Sequence, residues 1–357
     1  MGLDRFDGLA RFGRLARPLA KTGACGALLL CLCASPCLRI PPRLAAQAAQ
    51  PDAAPAEPPA ATATIRVKVD MVSLPVAVTT RDGEHVKDLG REDFELLENG
   101  VPQQVAGFDD AARPVSVALM LDTSGSTERQ LSRIRADAVR FIRLLGEDDS
   151  LAALSFADEV VLWAPFDIYR RKDEDAFKRI KPGGGSAVYE AVWLALEQVL
   201  KLEYGRKALV LLSDGVDTRS STVTRRETLE LAKRGDATVY CVYFDTGKDG
   251  RRGRGGGATM PAPRLPFPRP GEKRPEYAAG REYLMDLAAG SGGLFIDASK
   301  NKDLGAAFAK VLDGLRCQYS LGYYPKELRH DGKFREVTVK VKRPGLVVRA
   351  KPGFYDD

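Results

Sequence analysis

The chain's 357 residues are enough for one large domain and a smaller one, and 44% hydrophobic with 29% charged residues is an ordinary globular composition. The formal charge of +6 is unevenly placed: residues 1–49 hold seven basic and two acidic side chains, leaving 47 basic against 46 acidic elsewhere. That near-balance excludes the strongly basic folded domain a nucleic-acid partner would require.

Residues 1–48 read as a signal peptide, with a basic stretch to Lys21, an apolar core from Ala24 to about Leu38, and small residues near Ala45, Ala46 and Ala48. The apolar run is short for a transmembrane helix. The chain is therefore expected to be exported, to the periplasm, cell envelope or exterior. Membrane contact is expected only if the leader stays uncleaved as an anchor. Four of the six cysteines lie in this leader; Cys241 and Cys317 alone make no disulfide framework and are expected to stay apart.

Residues 49–62 are Ala/Pro-rich and read as a linker. Across 63–112 the apolar series Ile65, Val67, Val69, Val72, Leu74, Val76 and Val78 alternates with other residues, the period of half-buried strands, and Asp82-Gly83 and Asn99-Gly100 are turn pairs. The rhythm changes over 113–316. Nearly continuous apolar runs, Val115–Leu121, Leu151–Phe156, Ala208–Leu212 and Val239–Phe244, are separated by helical patterns. Leu131, Ile134, Ala138, Phe141 and Leu145 share one helical face; Val188, Val192, Leu196 and Val199 share another. This predicts an α/β fold with a doubly wound, mostly parallel sheet covered on both sides. Its last helix is expected at Leu304–Leu315. The Arg/Gly- and Pro-rich residues 246–280 are expected to form a disordered loop. Alternation returns over 317–357, where Val337, Val339 and Val341 alternate with Thr338, Lys340 and Lys342. Each set of terminal strands has an apolar face with nothing to cover it. They are expected to pack together as a small β-sandwich flanking the inserted α/β domain; two separate β units are the alternative.

In such sheets ligands bind beyond the carboxyl ends of the strands. The first apolar run is followed there by Asp122-Thr123-Ser124-Gly125-Ser126, and the third by Ser213-Asp214-Gly215. Gly183-Gly184-Gly185-Ser186 opens the Val188–Val199 helix. Asp122, Ser124, Ser126, Ser186 and Asp214 thus supply two carboxylates and three hydroxyls, hard oxygen donors suited to Mg²⁺, with Mn²⁺ or Ca²⁺ as alternatives. Gly125 is expected to permit the bend that turns both hydroxyls inward, and Thr127 with Gln130 has capping-box spacing. Asp158 and Asp217 are candidates for the rim, though a solvated loop acid is the default for each.

Asp122-x-Ser124-x-Ser126, the Gly-rich turn ending at Ser186, and Asp214 in Ser-Asp-Gly resemble the metal-ion-dependent adhesion site of von Willebrand factor type A domains. The resemblance covers residues 113 to about 315. The flanking Asp93-Phe94-Glu95-Leu96 and Gln318-Tyr319-Ser320-Leu321-Gly322-Tyr323-Tyr324-Pro325 extend it to the bacterial von Willebrand factor A-related proteins described from acidobacteria. It implies that Ser124 and Ser126 bind the ion directly, that Ser186 is the conformation-sensitive third ligand, and that Asp122 and Asp214 act through bound waters. The family usually has Thr where this chain has Ser186; serine lacks the methyl that limits the rotamer. The implied partner is a protein presenting an acidic side chain.

Enzyme chemistry finds little support in the residues. His85 and His330 are the only histidines and both fall in the β flanks, which rules out a histidine-dependent triad on the α/β domain. No Lys-Ser/Thr follows Gly185, so the glycine run is no phosphate loop. A phosphoryl-accepting Asp122 would want a carboxylate at Ser124. The chain is expected not to be an enzyme; an interaction module with an empty metal site and a metal-dependent hydrolase are the rivals.

Overall fold

The computed structural model describes residues 71–109, 113–167, 171–245, 275–299, 303–327 and 330–356. The expected signal peptide, linker and most of the expected disordered loop lie outside the described residues. Strands β1 (Val72–Thr80), β2 (Phe94–Glu98), β3 (Val101–Gln103) and β4 (Val105–Asp109) come first. The α/β region follows with β5 (Val115–Asp122), α1 (Leu131–Leu144), β6 (Ser150–Phe156), β7 (Val160–Asp167), α2 (Arg171–Arg179) and α3 (Val188–Leu194). It continues through β8 (Arg206–Ser213), α4 (Arg225–Arg234), β9 (Thr238–Tyr243), α5 (Pro275–Gly290), β10 (Phe295–Asp297) and α6 (Leu304–Arg316). The chain closes with β11 (Gln318–Tyr323), β12 (Phe334–Val341), β13 (Leu346–Ala350) and β14 (Gly353–Tyr355).

The central sheet has the order β10-β9-β8-β5-β6-β7 and is parallel except for the antiparallel edge strand β7. Every residue of β5 is buried, because both of its faces carry apolar side chains. Val117, Leu119 and Leu121 pack into the layer of α1 and α6, where the Phe141 and Phe308 rings lie 5.0 Å apart. Ala118 and Met120 point the other way, into the layer of α3, α4 and α5. A strand whose two faces are equally apolar must be covered on both, and here helices cover each face.

The terminal strands form two antiparallel sheets, β13-β1-β11-β4 and β14-β12-β2-β3. Leu74, Val76, Tyr319 and Leu321 of the first face Phe94, Leu96, Val337 and Val339 of the second in one shared core. The two ends of the chain therefore build one β-sandwich around the inserted α/β domain. Tyr319 fastens its centre. Its hydroxyl donates to the Val86 carbonyl (2.9 Å) and accepts from the Leu89 N–H (3.2 Å), while its ring meets Phe94 edge-on at 5.3 Å.

One expectation needs correcting. Residues 275–280, assigned to the disordered loop, are the opening turns of α5. Pro275 sits at the first helical position, where its fixed φ is pre-organised and no N–H is needed. Cys241 and Cys317 are buried and unpaired with each other.

The sandwich docks on the α/β domain through α4 and the turn after α5. Lys351, 5% exposed, donates from Nζ to the Gly235 carbonyl at 2.6 Å. Burial pushes its ammonium down to about 8 from 10.5. Between pH 8 and 10.5 the unfolded chain holds a proton that the folded chain has released, so this lysine makes stability rise with pH across that window. The shift corresponds to about 3 kcal/mol. Melting curves of wild type and Lys351→Met should diverge accordingly: the wild type gains on the variant between pH 8 and 10, and a constant difference would show that Lys351 titrates normally.

Candidate metal centre

The chain passes from β5 to one neighbour, β6, and only later to the other, β8. This reversal opens a crevice beyond the carboxyl ends of β5 and β8. Asp122 is the last residue of β5, and Asp214 directly follows β8. The loop after Ile180 delivers Ser186 to the same place.

All five expected residues meet in one hydrogen-bonded cluster. Asp122 Oδ1 accepts from the Ser124 N–H (3.0 Å) and Ser124 Oγ (2.6 Å). Its Oδ2 accepts from Ser213 Oγ at 2.7 Å and, more weakly, from Ser186 Oγ at 3.5 Å. Ser124 Oγ lies 3.1 Å from Ser126 Oγ, which donates to Asp214 Oδ2 at 3.3 Å. Asp122, Ser124, Ser186, Ser213 and Asp214 are all buried, whereas Ser126 is exposed. The cluster therefore opens to solvent on the Ser126 side.

Three loops hold it together through their backbones. Thr123 donates its N–H to the Phe156 carbonyl (2.8 Å) and accepts at its own carbonyl from Gly183 N–H (2.7 Å). Gly125 N–H donates to the Gly184 carbonyl at 2.9 Å. Gly125 is not in the left-handed region, so its place in the motif follows from this contact with the glycine loop rather than from a special bend. The tight position is Gly183, where a Cβ would fall 2.2 Å from the Ala157 Cβ. The Thr127 hydroxyl turns back and donates to the Ser124 carbonyl at 2.8 Å.

Three contributors were not assigned their roles from the sequence. Ser213 orients Asp122 and accepts the Gly215 N–H at 2.9 Å; its place beside Asp214 was the available signal. Asp158 is no idle loop acid, because its oxygens accept the Gly184 and Gly185 N–H groups at 2.9 Å each. Asp217 accepts the Tyr189 N–H in the first turn of α3 at 3.1 Å and the Ser220 N–H at 3.0 Å.

The helix α5 supports Asp214 from behind. A Cβ on Gly280 would lie 2.6 Å from the Gly215 carbonyl carbon and 2.8 Å from the Asp214 carbonyl oxygen. Gly215 itself has φ +74, so neither residue tolerates a side chain. Gly280→Ala should force these backbones apart, costing about 1–3 kcal/mol and weakening cation binding. An unchanged melting temperature and cation affinity would show that the contact is slack.

The electrostatics favour a cation. Burial first, and then the negative charge of Asp214, push the Asp122 carboxyl up to about 7. Two carboxylates and three hydroxyls converge here, and among the described residues no group of three or more His, Cys, Asp or Glu is placed to hold a metal ion. An all-oxygen set that is short of positive charge fits a hard divalent ion.

The von Willebrand factor type A domain family matches residues 116–254, a span that contains all five cluster residues. The chain carries a von Willebrand factor type A domain. Solved structures of similar shape include BatB from Bacteroides thetaiotaomicron, a conserved hypothetical protein, at 18% identity and TM-score 0.39, covering 56% of this chain and 98% of that one. The vWF domain of the type V pili tip protein Mfa5 from Porphyromonas gingivalis is 13% identical, TM-score 0.42, covering 56% and 94%. Proximal thread matrix protein 1 from the mussel byssus, solved with a zinc-occupied MIDAS motif, is 17% identical, TM-score 0.44, covering 62% of this chain and 50% of that one. No curated protein matches the sequence significantly. The α/β region that contains this domain is inserted between the two halves of the sandwich, with α6 running through Cys317 directly into the inner strand β11.

Proposed function

We propose that this von Willebrand factor type A domain is a divalent-cation-dependent adhesion-type module that captures an acidic side chain of a partner protein. One observation carries the reading: two carboxylates and three hydroxyls from three distant loops share a single buried cluster with one exposed edge at Ser126. Ser124, Ser126 and Ser186 would hold the ion through their hydroxyls, and Asp122 and Asp214 would balance its charge through water. Bound there, Mg²⁺, or Mn²⁺ or Ca²⁺ in its place, supplies an electrophilic position that a carboxylate can complete. Neutral hydroxyl donors leave the ion under-neutralised, which favours an anionic ligand over a neutral one.

Export is part of the same proposal and rests on the leader-like residues 1–48. No helix among the described residues is long and apolar enough to cross a membrane. The module is proposed to bind rather than to catalyse: no histidine is near the cluster in sequence to complete a histidine-dependent triad.

A second reading, an interaction module that needs no ion, is favoured by the four hydrogen bonds that Asp122 already accepts within the protein. Calorimetric titration with Mg²⁺ separates the two. The wild type should bind one ion and Asp122→Ala none; absence of binding by the wild type would favour the second reading. A pull-down from envelope extract with Mg²⁺ against EDTA then tests partner capture.

A further inference from the structure

Arg219 lies at the rim of this cluster. Its N–H donates to the Ser186 carbonyl at 3.1 Å, so it moves with the loop that carries the third hydroxyl. Its side chain lies flat over Gly185, where a Cβ would come within 2.4 Å of Arg219 Cγ. Nε pairs with Asp158 Oδ1 at 2.9 Å, and the side chain is still 61% exposed. Among the described residues that is its one ion pair, leaving the Nη edge of the fork open. Asp158 is only a partial counterion, because both of its oxygens also accept backbone N–H groups of the glycine loop.

Asp122 and Asp214, acting through water, would offset only part of the field of a divalent ion, and Arg219 adds a further positive charge at the rim that the cluster does not consume. A planar guanidinium with a free edge is built for a carboxylate, which it can take with two parallel hydrogen bonds. We propose that Arg219 determines the ligand class of the site: an acidic peptide segment carrying two neighbouring carboxylates, one for the cation and one for the Nη edge of Arg219. The inference rests on the metal-dependent reading above. It adds that a lone carboxylate is the poorer ligand. In an extended segment, carboxylates at positions i and i+2 point to the same side about 7 Å apart, so one short segment can present both to the same face.

The test uses the full chain in Mg²⁺ and two fluorescent glycine/serine decapeptides, one with a single glutamate and one with two glutamates at i and i+2. Fluorescence anisotropy should give the two-glutamate peptide an affinity about fivefold higher for the wild type. Arg219→Gln, which keeps a stem over Gly185, should erase that preference, the two-glutamate affinity falling by more than the single-glutamate affinity until the two are equal. Arg226→Ala, which removes a comparably exposed charge on α4, should keep the preference. Equal loss for both peptides in Arg219→Gln, or a preference that survives it, would overturn the proposal. Binding of Mg²⁺ without any peptide binding would also overturn it, while leaving the metal site intact. Absence of Mg²⁺ binding by the wild type would bring down the underlying reading and this proposal with it.

Discussion

In Asp122→Asn, Mg²⁺ should no longer raise the melting temperature, yet the metal-free variant should melt no lower than the metal-free wild type. The first half follows from linkage. An ion that binds only the folded state stabilises by about 2.7 kcal/mol at a hundredfold excess over its dissociation constant, and the variant forfeits that gain. The second half follows from the cost of the native carboxyl. Asp122 is wholly buried beside Asp214, and both effects push its carboxyl up to about 7. Asparagine has nearly the same shape and can still accept from the Ser124 N–H and Oγ, now without a buried charge. A residue kept for function at the expense of the empty fold is expected at a binding site. Differential scanning fluorimetry with and without Mg²⁺ reads both halves. If the metal-free variant lost several degrees, Asp122 would be a structural residue whose charge the fold requires.

A chain ended at Cys317 should lose the structure of residues 72–109 while α1 and the strands beside β5 stay protected. The pairing pattern dictates this result. Among the described strands β1 pairs with β11 and β13, and β2 pairs with β12 and the three-residue β3. Without the C-terminal strands the apolar face of Leu74, Val76 and Val78 has no cover, and a lone hairpin is marginal in water. Removing Tyr319, Leu321, Tyr323, Val337, Val339 and Phe354 together deletes half of the shared core, a loss well beyond the about 3–5 kcal/mol of a single aromatic-to-alanine change. Hydrogen exchange resolved by mass spectrometry would show full deuteration of 72–109 within seconds. Persisting protection there would mean that the N-terminal strands fold alone, as two separate β units would.

Most of this architecture could be read from periodicity. The run Val115–Leu121 matches β5 to within one residue, because a strand buried on both faces leaves an unbroken apolar record. The sandwich followed from two uncovered faces that had to be satisfied somehow. α5 was harder to see. Its Ala278-Ala279-Gly280 stretch has the small residues needed for close approach to Gly215, and these blur the apolar stripe of an amphipathic helix. β7 was missed because it is an edge strand with a proline, Pro165, and mixed exposure. β10, three residues long, is below what alternation can signal.

The candidate site was legible for a related reason. Asp122 and Asp214 each stand where an apolar run stops, and that point marks the carboxyl end of a strand. The roles of Ser213, Asp158 and Arg219 could not be read this way. They depend on which loop leans on which, and tertiary contact decides that rather than local pattern. The paired loops Gly125–Gly184 and Thr123–Gly183 are of this kind.

The central claim is that one hard cation sits among these five side chains. Crystals of the full chain grown with Mn²⁺ and measured near the manganese edge test it most directly. The account predicts one anomalous peak per chain, bounded by the hydroxyls of Ser124, Ser126 and Ser186 with Asp122 and Asp214 around it. A peak elsewhere in the domain, or an empty cluster at saturating Mn²⁺, would contradict it.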